Sequence, residues 1–126
     1  MIRTAIALLA TACIAIGAQA QTQRAFPQNA LRGALVIGTA PEAMLNGDPA
    51  RLAPGARIRN ADNMVVVPTA VIGGPYLVNY TLDASGLVKE VWILRPDEAA
   101  VQPWPRTPQE AATWRFDPVG QVWSKP

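Results

Sequence analysis

Between Leu31 and Leu94 the chain is cut into short apolar pieces by residues that force tight turns. Asn46-Gly47, Pro54-Gly55, Gly73-Gly74-Pro75 and Asp83-Ala84-Ser85-Gly86 punctuate it. The pieces between them, such as Ala34-Leu35-Val36-Ile37, Met64-Val65-Val66-Val67 and Val91-Trp92-Ile93-Leu94, are rich in β-branched residues and too short for helices. Six to nine short strands at close spacing, with hardly any 3.6-residue periodicity, predict an all-β fold: a small antiparallel barrel or sandwich. Closing the sheet would also remove most exposed strand edges.

The turn chemistry predicts where strands meet. Asn46-Gly47 suits a two-residue hairpin, because both residues tolerate positive φ. Pro49 just after it cannot donate to a ladder, which predicts an edge position. Pro54-Gly55 fits the centre of a type II turn. In Arg57-Ile58-Arg59, alternation points Ile58 inward and both arginines outward. Tyr76 to Leu82 alternates, with Tyr76, Val78, Tyr80 and Leu82 on one face and Leu77, Asn79 and Thr81 on the other. Asp83 opens a turn whose bulge is Gly86, and Leu87 to Leu94 returns as a central strand, apolar on both faces.

After Arg95 the composition shifts: six of the 12 prolines and three of the 4 tryptophans follow. Thr107-Pro108-Gln109-Glu110 carries helix-start signals, Thr as N-cap, Pro in the first turn and Glu three residues on. The segment Arg115-Phe116-Asp117-Pro118-Val119-Gly120-Gln121-Val122 repeats the spacing of Thr81-Leu82-Asp83-Ala84-Ser85-Gly86-Leu87-Val88 and predicts a second hairpin, with Trp114 and Trp123 close across it. The resulting organisation is a barrel core over 31–95 and a Pro/Trp-rich C-terminal wrap over 96–126, holding a short helix and a hairpin.

The first twenty residues have a different character. Arg3 precedes an uncharged apolar run from about Ala5 to Ala18, which ends in Ala18-Gln19-Ala20. One charge, a short apolar core and small residues at the end are the marks of a cleaved export signal. The run is short for a membrane span, which needs about 20 apolar residues. The expectation is a signal peptide over 1–20, a loose polar arm over 21–30, and no stable membrane span after cleavage. The address expected is the periplasm; the alternatives are the extracellular medium or a lipid anchor at Cys13, which follows Ala10-Thr11-Ala12.

Composition narrows the chemistry. There is no His, and the single Cys lies in the expected signal. That removes an imidazole base, a thiol nucleophile and the commonest zinc ligands. No phosphate-loop or dinucleotide glycine motif occurs. No cofactor or metal site is expected, and the protein is expected not to be an enzyme. A carboxylate pair is the one catalytic chemistry left open, and most acids fall in turns where Asp bonds its own backbone. The net charge is only +2 and falls by one without Arg3, which argues against nucleic acid as partner.

Two sets of residues are candidates for ligand or partner contacts. Arg51, Arg57 and Arg59 form the one local basic cluster and could meet anionic groups, since guanidinium forks match such oxygens. The plainer reading is a wet strand face. Trp104, Trp114 and Trp123 could stack on sugar rings or anchor a partner, or be buried as staples tying the tail across an open barrel end. The function expected is a non-catalytic envelope module, structural or interacting, with an envelope protein or glycan as partner. The alternative is a carbohydrate- or peptidoglycan-binding domain using the C-terminal tryptophans. Oligomeric state is not legible.

At Leu45-Asn46-Gly47 with Arg51 to Arg59, and again at Val78 to Leu94, the chain resembles small, uncharacterised exported β-barrel proteins of Gram-negative bacteria. The resemblance covers about Leu31 to Leu94 and implies a fold and an envelope address. It carries no catalytic residues to transfer.

Overall fold

The computed structural model describes residues 23–126. The expected signal over 1–20, Cys13 and the first two residues of the arm lie outside the described residues. The strands are β1 (Leu31–Ile37), β2 (Glu42–Leu45), β3 (Asp48–Arg59), β4 (Val65–Val66), β5 (Gly73–Leu82) and β6 (Val88–Ile93). Two short helices follow, α1 (Pro96–Ala99) and α2 (Pro108–Thr113), and then a hairpin of β7 (Arg115–Asp117) and β8 (Val122–Ser124).

Five strands close into a barrel. The order runs β2-β1-β5-β6-β3, and β3 pairs back to β2 to complete the ring, with β4 hanging on the end of β3. Every seam is antiparallel except β3–β6, which is parallel. A parallel seam needs a crossover, and residues 60–87 supply it by passing through β4, a 3-10 turn at Pro68–Val71, β5 and the loop after it. A closed barrel by itself carries no function.

The interior follows strand alternation. Leu31, Leu35 and Ile37 of β1 face Val78 and Tyr80 of β5, Val91 of β6, and Leu52 and Ile58 of β3, all buried. Each such side chain contributes about 1.5–3 kcal/mol on burial before chain entropy is subtracted.

The turn residues act largely as expected. Asn46 and Gly47 both have positive φ, 53° and 84°, and join β2 to β3 with Leu45 opposite Asp48. The Asn46 side chain also accepts from the Ala34 amide at 2.9 Å, fixing the turn against β1. Asp83 accepts from the Ser85 and Leu87 amides at 2.9 Å, and Gly86 sits at φ 80°.

Three local expectations need correction. The Asn46-Gly47 hairpin is not at an edge, because β2 has β1 on its other side. Pro49 is tolerated because it lies beyond the stretch of β3 that β6 pairs, which begins at Leu52. Pro54-Gly55 does not end a strand. It lies inside β3, where the β3–β6 register jumps from Leu52 opposite Val88 to Arg57 opposite Glu90. Gly55 takes φ 75°, so its conformational freedom builds a bulge that bends one long strand around the barrel. Finally, the polar arm is not loose from Arg24 onward: Arg24, Phe26 and Ala30 are all buried.

The wrap builds a second core on the outer wall of the barrel. Arg32, Asn79, Trp92 and Arg59 form one row across β1, β5, β6 and β3. Over the first three lie Phe26, Ala30, Trp104 and Trp123, with Val101, Trp114 and Phe116 around them. The rings meet mostly edge to face, Trp104 with Phe26 at 5.7 Å and with Trp123 at 6.2 Å. Asn79, on the face of β5 opposite Val78 and Tyr80, is buried in this row. The second hairpin forms, but Trp123 pairs with Phe116 rather than Trp114. Its loop is one residue shorter than that of the first hairpin, and the left-handed residue is Gln121 instead of the glycine.

Candidate functional site

A cluster of buried charge holds the wrap to the barrel. Glu98 is the N3 residue of α1, and its Oε1 accepts from the Arg95 amide at 2.9 Å. Its carboxylate also takes both the Nε (2.8 Å) and a terminal nitrogen of Arg24, the bidentate geometry that suits a guanidinium. Arg24 in turn donates to the carbonyls of Asn60 and Ile93 at 3.0 and 2.8 Å. Burial pushes the Glu98 carboxyl up, but the bonds from Arg24 and the Arg95 amide and the charges of both arginines outweigh it, so its pKa lies below the ordinary value.

Arg32 is the other buried cation. Its Nε donates to Asn79 Oδ1 at 3.1 Å, and its terminal nitrogens donate to the carbonyls of Val101 and Glu98. The guanidinium lies 4.9 Å from the ring centre of Trp104. Burial lowers its pKa to about 10, with Glu98 opposing and Arg106 adding to the fall, so it stays charged at neutral pH.

This scaffold shapes a groove of about 790 Å³ on the outer wall. Three stretches of chain line it: Arg24 from the N-terminal segment, Arg59 with Asp62 and Asn63 from the end of β3, and Glu90 with Trp92 and Arg95 from β6. Arg24 and Arg95 are engaged with Glu98 and Asp97. Arg59 donates only a long bond of 3.4 Å to the Asn63 carbonyl. The rim therefore offers one guanidinium without a carboxylate partner among the described residues, opposite the acids Asp62 and Glu90.

No family model, curated protein or solved structure matches this chain. The reading of the site rests on its geometry.

Of the basic cluster, only Arg59 enters the groove. Arg57 is exposed and lies across the parallel seam from Glu90. Arg51 precedes the Pro54-Gly55 bulge, is exposed, and pairs loosely with Glu42 at 3.8 Å. It borders a separate hollow of about 630 Å³ with Pro41, Pro54 and Pro68. The bulge parts Arg51 from Arg57 and Arg59.

The tryptophans divide likewise. Trp104 is buried and its indole donates to the Ala30 carbonyl at 3.0 Å. Trp123 is 1% exposed. Both are staples, laid on the outer wall instead of across a barrel end. Trp114 is half-buried, with the Lys125 ammonium 5.4 Å from its ring centre. Among the described residues no cluster of three potential metal ligands occurs, and no helix is long and apolar enough to cross a membrane.

Sequence reasoning missed Arg24, Arg32, Glu98 and Gln121. Two signals were available. Arg95-Pro96-Asp97-Glu98 is a helix start with Glu at N3, and Arg32 and Asn79 occupy outward positions on strands with apolar flanks.

Proposed function

We propose that this chain is a non-catalytic interaction module of the bacterial envelope that grips a polar, charged segment of a partner protein in the outer-wall groove. The observation that carries the reading is the convergence of Arg59 from β3, Asp62 from the turn after it, and Glu90 and Trp92 from β6 onto one concavity. A mixed-sign rim selects by charge complementarity, which sets specificity and encounter rate more than raw affinity. The export address rests on Arg3, the apolar run and Ala18-Gln19-Ala20.

The test is capture from an envelope extract with the wild-type chain, Arg59→Glu and the double exchange Arg59→Glu with Glu90→Arg. A partner retained by wild type and lost with Arg59→Glu supports the reading. Identical capture by all three chains overturns it.

A glycan-binding reading is favoured by one observation, the half-exposed ring of Trp114. Trp104 and Trp123 present no free face to a sugar. Peptidoglycan fragments that shift the emission of wild type but not of Trp114→Phe would favour this second reading over the first.

A further inference from the structure

One part of the outer wall stays bare. Across β1, β2 and β3, Val36, Met44 and Pro49 stand opposite one another in a single row. Leu35, Ile37 and Ala43 beside them point into the core, so strand alternation sends the row outward. Met44 is 43% exposed, and Pro49 next to it is exposed as well. Leu77 of β5, 40% exposed and opposite Ala34 of β1, extends the apolar strip. The wrap packs on Trp92 and its neighbours and leaves this strip open.

One charged pair borders the row. Glu42 and Arg51 lie opposite each other at the next outward positions of β2 and β3. Arg51 approaches Glu42 only to 3.8 Å, and the side chains are 62% and 69% exposed, Arg51 first. That distance is too long for a hydrogen bond, and an exposed pair of this kind adds little stability. Exchanging partners therefore costs the fold little. β2 has β1 on one edge and β3 on the other, so association through this wall is face to face, side chain against side chain.

We propose that this strip is the contact face for a second copy of the chain. A two-fold axis running between β2 and β3, along the strands, lays Met44 of each copy on Pro49 of the other. The same axis lays Glu42 of each copy on Arg51 of the other. Every apolar contact and every ion pair is then made twice, the isologous pattern of a symmetric dimer. An acid and a base side by side make the face complementary to itself, whereas a partner of one sign would meet a like charge. An apolar centre with a charged border, rich in Met and Arg, is also the ordinary anatomy of an interface.

The experiment is sedimentation equilibrium of the full chain over a range of concentrations. The expected result is a reversible monomer–dimer equilibrium. Glu42→Arg gives the face two bases, and Arg51→Glu gives it two acids. Each variant alone should dimerise at least about tenfold more weakly, because like charges meet. An equimolar mixture of the two variants sets bases against acids and should recover the wild-type affinity. Met44→Lys should weaken the dimer in the same way. All three positions are exposed, so in dilute solution the melting temperature should stay in place. A wild-type chain that is monomeric up to about 1 mM would overturn the proposal. So would undiminished association of either charge variant, or a mixture no tighter than its components. Arg59→Glu, in the groove, should leave the equilibrium unchanged; loss of the dimer in that variant would seat the second copy in the groove and overturn the proposal.

Discussion

The side-chain amide of Gln121 holds the backbone of Phe26 on both sides, its Oε1 accepting from the Phe26 amide at 2.8 Å and its Nε2 donating to the Phe26 carbonyl at 3.4 Å. It mimics one rung of a β-ladder between segments 95 positions apart in the chain. The same Nε2 bonds the Pro118 carbonyl at 3.0 Å, which closes the β7–β8 turn. Gln121 adopts φ 54° in that turn, a conformation that favours glycine.

Replacing Gln121 therefore separates backbone ease from the clasp. Gln121→Gly relieves the left-handed strain but deletes three hydrogen bonds and orphans the buried Phe26 amide. A net loss of about 1–3 kcal/mol is expected in urea melts. A gain in stability would show that the clasp contributes nothing.

Glu98→Gln tests the buried charge. It keeps the shape but leaves Arg24 with no carboxylate, and should destabilise by about 3–5 kcal/mol. The pH dependence has a definite sign. The folded-state pKa of Glu98 lies below its ordinary 4.5, so its stabilisation is complete above that value and is lost as pH falls through the folded pKa. Melting temperature against pH should drop more steeply below about pH 4.5 in wild type than in Glu98→Gln, and the two curves should converge in acid.

Trp123 discriminates packing from hydrogen bonding. Its indole nitrogen has no partner, although the ring is buried. Trp123→Ala should cost about 3–5 kcal/mol. Trp123→Phe removes the unsatisfied donor together with part of the ring, and should cost clearly less than the alanine change. Equal losses in calorimetry would show that the N–H matters after all.

Gly55 and Gly86 should respond alike, although one lies in a bulge and the other in a hairpin loop. At φ 75° and 80° each is strained by a side chain, while a Cβ at either would meet no neighbour. Gly55→Ala and Gly86→Ala should each cost about 1 kcal/mol through the backbone alone. A markedly larger loss at Gly55 would mean that the bulge governs closure of the parallel seam.

These cases also mark what was legible in the sequence. Asn46-Gly47, Asp83 with Gly86, and Thr107 were readable because their geometry is settled within four or five residues. Pro54-Gly55 was misread because a positive φ serves a turn and a bulge equally, and only the partner strand decides between them. The arm was misread because Arg24 finds Glu98 at a separation of 74 residues, and no local pattern announces such a pair. Trp123 was recognised as a staple candidate, but its partner depended on a one-residue difference in loop length. The outer-wall groove draws on three distant stretches, and only Arg59 among its residues stood out beforehand.

The placement of Phe26 beside Trp104 and Trp123 sets an order of events during synthesis. A chain emerging amino end first can close the barrel once β6 is free, yet the outer layer must wait until Trp123 has followed. Until then Trp92 and the neighbouring wall stand bare, and a nascent chain paused shortly before Trp123 would present that greasy flank to whatever escorts it.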